Sequence, residues 1–140
     1  MPNDDATAWE EQLIADLRAN GGKPSGGPLA GHPILLMYST GAKSGLRRRS
    51  ILTYSVQGDT YVVAGTASGS PVDPAWIANV AADPTVELEV ANEVFAGRAE
   101  VVDPAERDQV WAEHVAQLPW FAKYQEQVER TIPVVRLRRA

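Results

Sequence analysis

Apolar and polar residues recur along this chain with two periods, and the change from one period to the other divides it into elements. Over residues 5–19, Trp9, Leu13, Ile14 and Leu17 fall close to one face of a helix, with Asp and Glu on the others. That face must dock on something. The short length and the acidic first turn favour the domain's own core over a membrane surface or a second subunit. Residues 20–33 are rich in Gly and Pro and read as a loop, because too little chain precedes them to form a separate domain.

Residues 34–38 form a short apolar run, the first expected strand. Residues 50–56 read as a second and residues 60–64 as a third, joined by the turn Gln57-Gly58-Asp59 into a hairpin. A loop of small residues follows over 65–71. Asp73-Pro74 then opens a helix, with the acid at the N-cap and proline at the first helical position, and Asp83-Pro84 stops it. In residues 85–90, Val86, Leu88 and Val90 alternate with Glu87 and Glu89, the pattern of a half-exposed strand. Ala91-Asn92 turns the chain into a long strand over 93–102.

Asp103 and Glu106 have the spacing of a capping box before a helix whose apolar stripe is Val110, Trp111, Val115 and Leu118. Pro119 breaks that helix, residues 120–128 resume it, and residues 132–137 supply the last strand. The expected architecture is α+β: six strands in an antiparallel sheet able to curl into a small barrel, with short connecting helices. Residues 1–32 are the N-terminal helix and loop, and residues 33–140 the body of one domain.

Composition narrows the chemistry. The 140 residues contain no cysteine, which excludes disulfides, thiolate metal sites and cysteine nucleophiles. Two histidines, His32 and His114, do not make a metal cluster, and His114 shares the apolar side of its helix as a packed, hydrogen-bonded residue. No apolar run approaches the roughly 20 residues that span a bilayer, and the acidic start lacks the pattern of a signal peptide, so the expected location is the cytoplasm. A formal net charge of −5 argues against general nucleic-acid binding.

Against that background one stretch reverses the sign. Lys43, Arg47, Arg48 and Arg49 are four of the thirteen Lys and Arg, within seven positions. They sit around a glycine-bounded turn, Gly41 to Gly45, where backbone N–H groups and cations together suit a phosphate. The turn is not the phosphate loop of ATPases, since Ala42 stands where that loop needs Gly. Nor does Gly65 to Gly69 have dinucleotide spacing.

Four ordered motifs now combine: Thr40-Gly41-Ala42-Lys43-Ser44-Gly45 with Arg48, Asp73-Pro74-Ala75-Trp76-Ile77-Ala78-Asn79, Asp83-Pro84, and Arg130-Thr131-Ile132-Pro133-Val134-Val135. Together they resemble the deazaflavin (F420)-dependent nitroreductase and quinone reductase family from about Pro33 onward. The resemblance implies a split β-barrel related to flavin-binding oxidoreductases, with coenzyme F420 as hydride donor. That coenzyme bears a phosphate and a glutamate tail, the kind of anion the basic turn suits. By the same resemblance, Ala42, Lys43 and Ser44 lie by the phosphate end, with Arg48 and Arg49 near it. Ser50, Ile51, Leu52 and Thr53 line the ring, and Ala64, Gly65, Thr66 and Ala67 cover its edge. Ala75, Trp76, Ile77, Ala78 and Asn79 close the pocket.

Two departures stand out. Ala67 occupies a place where relatives commonly have Lys, and Arg47 and Arg49 could replace that charge. Where nitro-reducing members carry several tyrosines in the last helix, this chain has Leu118, Phe121 and Tyr124, which weighs against nitroreduction more than against cofactor binding.

The expected reaction is hydride transfer to an electron-poor acceptor such as a quinone, a conjugated enone or lactone, or a nitroaromatic. Leu118, Trp120, Phe121 and Tyr124 are the expected acceptor-side residues, and Tyr124 ranks first as hydrogen-bond donor to the acceptor. A flavin reductase using FMN or FAD on the same barrel and a non-enzymatic carrier of a hydrophobic ligand are the competing readings. Monomer and homodimer both stay open.

Overall fold

A computed structural model describes residues 4–26 and 30–140. Residues 1–3, at the acidic start, and 27–29, within the expected 20–33 loop, lie outside the described residues. The described residues form four α-helices, α1 (Asp4–Ala19), α2 (Ala75–Ala82), α3 (Pro104–Gln117) and α4 (Phe121–Gln127). They also form seven strands, β1 (Ile34–Thr40), β2 (Arg47–Thr53), β3 (Ser55–Gln57), β4 (Thr60–Ala64), β5 (Thr85–Val90), β6 (Glu93–Val101) and β7 (Val134–Arg139). Every neighbouring pair is antiparallel, in the order β2-β1-β5-β6-β7-β4-β3.

The count is seven strands rather than the six expected, and one residue makes the difference. β2 and β3 stand at opposite ends of the sheet although only Tyr54 separates them in sequence. The Tyr54 N–H donates to the Pro33 carbonyl at 3.2 Å, the last bond in the β1–β2 register, and Ser55 already pairs with Val62 of β4. The chain therefore leaves one edge of the sheet and enters the other in a single extended run, and the sheet must curl for its two ends to meet there. The expected strand at residues 50–56 is this run, but it starts earlier, because Arg47, Arg48 and Arg49 are paired with Thr40, Ser39 and Tyr38.

Alternation along the strands sorts the core into two layers. Leu35 and Met37 of β1, Val63 of β4, Val86, Leu88 and Val90 of β5, and Val135 and Leu137 of β7 pack together on the concave face, with Trp76 and Val80 of α2 inserted among them. The residues between them face outward. Ile34 and Leu36 pack under Ile14 and Leu17 of α1. Val62, Ala64 and Val134 pack under α3 and α4 through Val110, Leu118 and Phe121. Leu13, Ile14 and Leu17 of α1 thus cover part of this domain's own sheet, while Trp9, expected on the same face, stays exposed. No helix among the described residues is long and apolar enough to cross a membrane.

Two expected helix caps are replaced by ion pairs. α2 begins one residue later than its motif suggests, with Pro74 at the N-cap and no side-chain cap, because the Asp73 carboxylate is held by Arg130. Asp103 accepts the Glu106 and Arg107 N–H groups through its backbone carbonyl only, while the Glu106 carboxylate accepts from Arg136 at 3.2 Å. At the far end of α3, the Gln117 side chain accepts the Val56 N–H at 2.9 Å and donates to the Val56 carbonyl at 2.7 Å.

His114 is fully buried against the edge of the Phe121 ring, and its Nδ1 shares a 2.6 Å hydrogen bond with the Ser55 hydroxyl. Burial pushes its pKa down to about 4. An unfolded chain, with a histidine pKa near 6.5, binds this proton more readily than the folded one. The stability that neutral His114 supports is complete above about pH 6.5 and is lost as pH falls from there toward 4. On this residue alone, urea unfolding should show a loss of about 2 to 3 kcal/mol between pH 7.5 and 4.5. His114→Gln should flatten that slope, and an unchanged slope would show that other groups set the acid sensitivity.

Candidate functional site

The β1–β2 connection and α2 face each other across an open cleft of about 680 Å³. Gly41, Ala42, Lys43 and Ser44 line it from the turn, Arg48, Arg49 and Ser50 from β2, and Ala75, Trp76, Ala78 and Asn79 from α2. The turn is closed by the Gly41 N–H to the Leu46 carbonyl and the Gly45 N–H to the Gly41 carbonyl, both at 2.8 Å. Ser44 folds back over it, its hydroxyl accepting the Leu46 N–H at 3.1 Å. A Cβ at position 41 would lie 2.5 Å from that hydroxyl, so only glycine lets Ser44 close the loop.

Across the cleft, buried Asn79 accepts the Ala42 N–H through Oδ1 at 2.9 Å. This bond ties the turn to α2. The Lys43 and Ser44 N–H groups meet no acceptor among the described residues. With the Lys43 ammonium and the Arg48 guanidinium, they make a compact set of donors at one mouth of the cleft.

Strand alternation decides which arginine belongs to this set. Arg48 pairs with Ser39 and Ser50 with Met37, so their side chains share the concave face with Leu35 and Met37. Arg47 and Arg49 point to the other face. The Arg49 guanidinium donates to Glu10 at 2.8 Å and Glu11 at 2.7 Å on α1, which holds it protonated beyond the usual arginine range. Arg47 donates to Glu87 at 2.7 Å and lies 4.0 Å over the Tyr38 ring. Arg49 thus borders the cleft with its charge engaged elsewhere, and Arg47 stands outside it. Lys43 and Arg48 form no ion pair with a carboxylate among the described residues.

The other expected cofactor residues lie around this cleft or behind it. Leu52 joins the concave core, Ile51 packs in the layer under α1, and Thr53 ends β2 half-buried. Ala64 is buried at the end of β4. At Gly65 a Cβ would come within 2.9 Å of the Ile77 side chain and 3.1 Å of Pro133, so its absence lets α2 approach the strand. Thr66 and Ala67 enter a 3-10 turn, Ala67–Gly69, where Ala67 takes the left-handed φ of +47°.

The acceptor-side residues occupy a different place. Leu118 and Phe121 are buried in the outer layer, and the Trp120 ring lies 4.4 Å from that of His32. Tyr124 is half-buried with its ring edge-on to Phe121 at 5.4 Å, and a Cβ at Gly69 would be 3.8 Å from its Cδ1. Tyr124 adjoins the 3-10 turn, and none of the four lines the cleft. Two contributors escaped the sequence reading. Gly41 was visible only as a turn residue, and Arg130 only as part of a motif with no assigned task.

This geometry can be set beside known proteins. The sequence pattern of the F420H(2)-dependent quinone reductase family matches residues 10–138. An F420H(2)-dependent quinone reductase of Mycobacterium tuberculosis is 37% identical over 112 residues, which is 76% of this chain and 74% of the relative. Among solved structures, an F420-H2 dependent reductase superposes with a TM-score of 0.67 at 34% identity, covering 75% of this chain and 93% of its own. A domain-swapped dimer superposes at 0.69 with 32% identity, covering 94% and 98%. The match runs through the basic turn, α2 and the strand after α4, and on it this chain belongs to the F420H(2)-dependent quinone reductase family, an oxidoreductase family whose cofactor is coenzyme F420.

Proposed function

We propose that the cleft between the β1–β2 turn and α2 holds F420 and that the reduced coenzyme serves a quinone-type acceptor at the opposite, 3-10-turn end. The observation that carries this reading is the pairing of Lys43 and Arg48, with no carboxylate partner among the described residues, on a turn fixed by Asn79. The donor set fits the group. An ammonium, a guanidinium and two backbone N–H groups suit a phosphodiester and carboxylate tail. Ala42, Ala75 and Ala78 leave width for a flat ring. We read the curled sheet as the split barrel of flavin-binding oxidoreductases, with the cofactor along its rim.

When bound, the reduced deazaflavin supplies the hydride. The chain's own residues bind, orient and exclude water. Lys43 and Arg48 neutralise the tail, and Ser50 and Leu52 follow on the same face of β2 toward the core. Gly65 to Ala67 offer backbone groups and small side chains at the ring edge. Tyr124 donates a hydrogen bond to the acceptor oxygen as charge develops there. Its position beside the 3-10 turn supports this role, and its hydroxyl bonds no group among the described residues. The family assignment favours the deazaflavin over FMN and an enzyme over a carrier.

Fluorescence titration with oxidised F420, beside FMN, tests the site. Lys43→Ala and Arg48→Ala should each weaken F420 binding about 10- to 100-fold, the scale of a lost charge-assisted hydrogen bond. Arg49→Ala should leave affinity within a few fold and lower the unfolding midpoint instead, since its charge serves α1. Equal losses in all three variants would mean that bulk charge, not this geometry, binds the tail.

Steady-state quinone reduction tests Tyr124. Tyr124→Phe should lower kcat about tenfold with F420 affinity unchanged, as expected for a donor acting only on developing charge. Unaltered turnover across several quinones would remove Tyr124 from the reaction.

A further inference from the structure

Arg130 lies between α4 and β7 with its side chain only 15% exposed, and it spends its donors on one short segment. Its Nη2 donates to the Thr66 carbonyl at 3.1 Å, its Nε to the Ser70 carbonyl at 3.1 Å, and its Nη1 to the Asp73 carboxylate at 2.6 Å. That segment, residues 66–73, has little hydrogen bonding of its own. It has the two bonds of the 3-10 turn, the Gly69 N–H to Thr66 and the Ser70 N–H to Ala67, and a long bond of 3.4 Å from the Val72 N–H to the Ser70 hydroxyl. It also contains Ala67 and Gly69 in left-handed conformations. Chain of that kind holds one shape only when something outside it fixes it.

Arg130 is itself held from behind. Its carbonyl accepts from Gln125 Nε2 at 2.7 Å, and Gln125 Oε1 accepts the Ile132 N–H at 2.9 Å and Arg107 Nη2 at 2.8 Å. Arg107 also donates twice to the Ile132 carbonyl. A connected set of hydrogen bonds thus runs from α3 through α4 and the lead into β7, and ends on the segment that opens α2. A planar guanidinium can serve three acceptors lying in three directions, and an ammonium on a flexible stem cannot hold them in the same geometry.

We propose that Arg130 is a positioning residue for hydride transfer. It fixes residues 66–73 so that the Thr66 backbone and the first turn of α2 stay in register at the ring end of the cleft, between the cofactor and the Tyr124 side. It does not hold the coenzyme's tail, which belongs to Lys43 and Arg48 at the other mouth. This rests on the reading of the cleft given above. Loss of the clamp should therefore separate binding from turnover, because a small displacement of reacting partners costs rate far more than affinity.

The experiment compares the unaltered chain with Arg130→Lys and Arg130→Gln, with Asp73→Asn as a variant that disturbs only one of the three bonds. Amide hydrogen exchange without F420 should show faster exchange confined to residues 66–73 in both Arg130 variants. F420 affinity should stay within about threefold of the unaltered protein, while kcat for quinone reduction falls about 10- to 100-fold. Arg130→Lys should not restore the rate, and Asp73→Asn should lie between. Exchange unchanged in residues 66–73, or kcat unchanged despite faster exchange, overturns the proposal. So does a loss of affinity equal to the loss of rate, which would make Arg130 a binding residue. If Arg130→Gln does not fold, the same outcomes are decided on Arg130→Lys and Asp73→Asn. F420 failing to bind the unaltered protein would overturn the reading of the cleft, and the catalytic part of this inference with it; binding by the unaltered protein with unchanged kcat in the variants overturns this inference alone.

Discussion

The architecture depends on one extended run of chain serving both edges of the sheet. At Tyr54 the backbone makes its last bond on the β1 side, to the Pro33 carbonyl, and in the space of one residue it passes from the β2 edge to the β3 edge. Seven antiparallel strands can satisfy that connection only by curling, and curling creates the concave face on which the core collects. Hydrophobic burial supplies the driving force, and this crossing supplies the shape. α2 follows as a plug, placing Trp76 and Val80 among the strand residues and leaving its polar Asn79 at the rim. The cleft is therefore where the plug meets the turn, and its walls are set by core packing.

The same alternation that builds the core distributes the charge. Three consecutive arginines cannot share a face in a strand, so Arg48 is directed to the cleft while its neighbours meet Glu87 and the carboxylates of α1. A basic stretch that looks in one dimension like a single cationic site is, once folded, one cleft residue between two structural ones. Arg47 and Arg49 are engaged by carboxylates, and Lys43 and Arg48 are the cleft's cations with no ion pair among the described residues. The exposed ion pairs on the outer face are individually weak, and their effect here is to remove competing cations from the cleft as much as to add stability.

Much of this was legible in the sequence because it is local. The strand over residues 85–90 shows its buried side in every second residue, and the proline and glycine signals mark most boundaries. The turn and the helix that frame the cleft carry their own motifs. What stayed hidden is long-range. Tyr54 looks like any strand residue, and only the distant partners show that pairing passes there from β1 to β4. The carboxylates of Asp73 and Glu106 have the spacing of caps, yet arginines far along the chain claim them. Likewise the expected acceptor-side residues on either side of Pro119 read as one apolar wall, whereas packing under the sheet takes Leu118 and Phe121 into the core and leaves Trp120 and Tyr124 nearer the surface.

The Gln117 amide, paired in both directions with Val56, occupies the place where a further strand would lie. β3 is only three residues long, and its middle residue has both backbone groups engaged by this side chain. An amide side chain is the smallest group that can present a donor and an acceptor together as a peptide unit does. At this edge the protein carries, in effect, a one-residue imitation of a neighbouring strand, which ends the sheet without a charge or a proline. Intermolecular sheet growth from β3 is thereby discouraged at its centre.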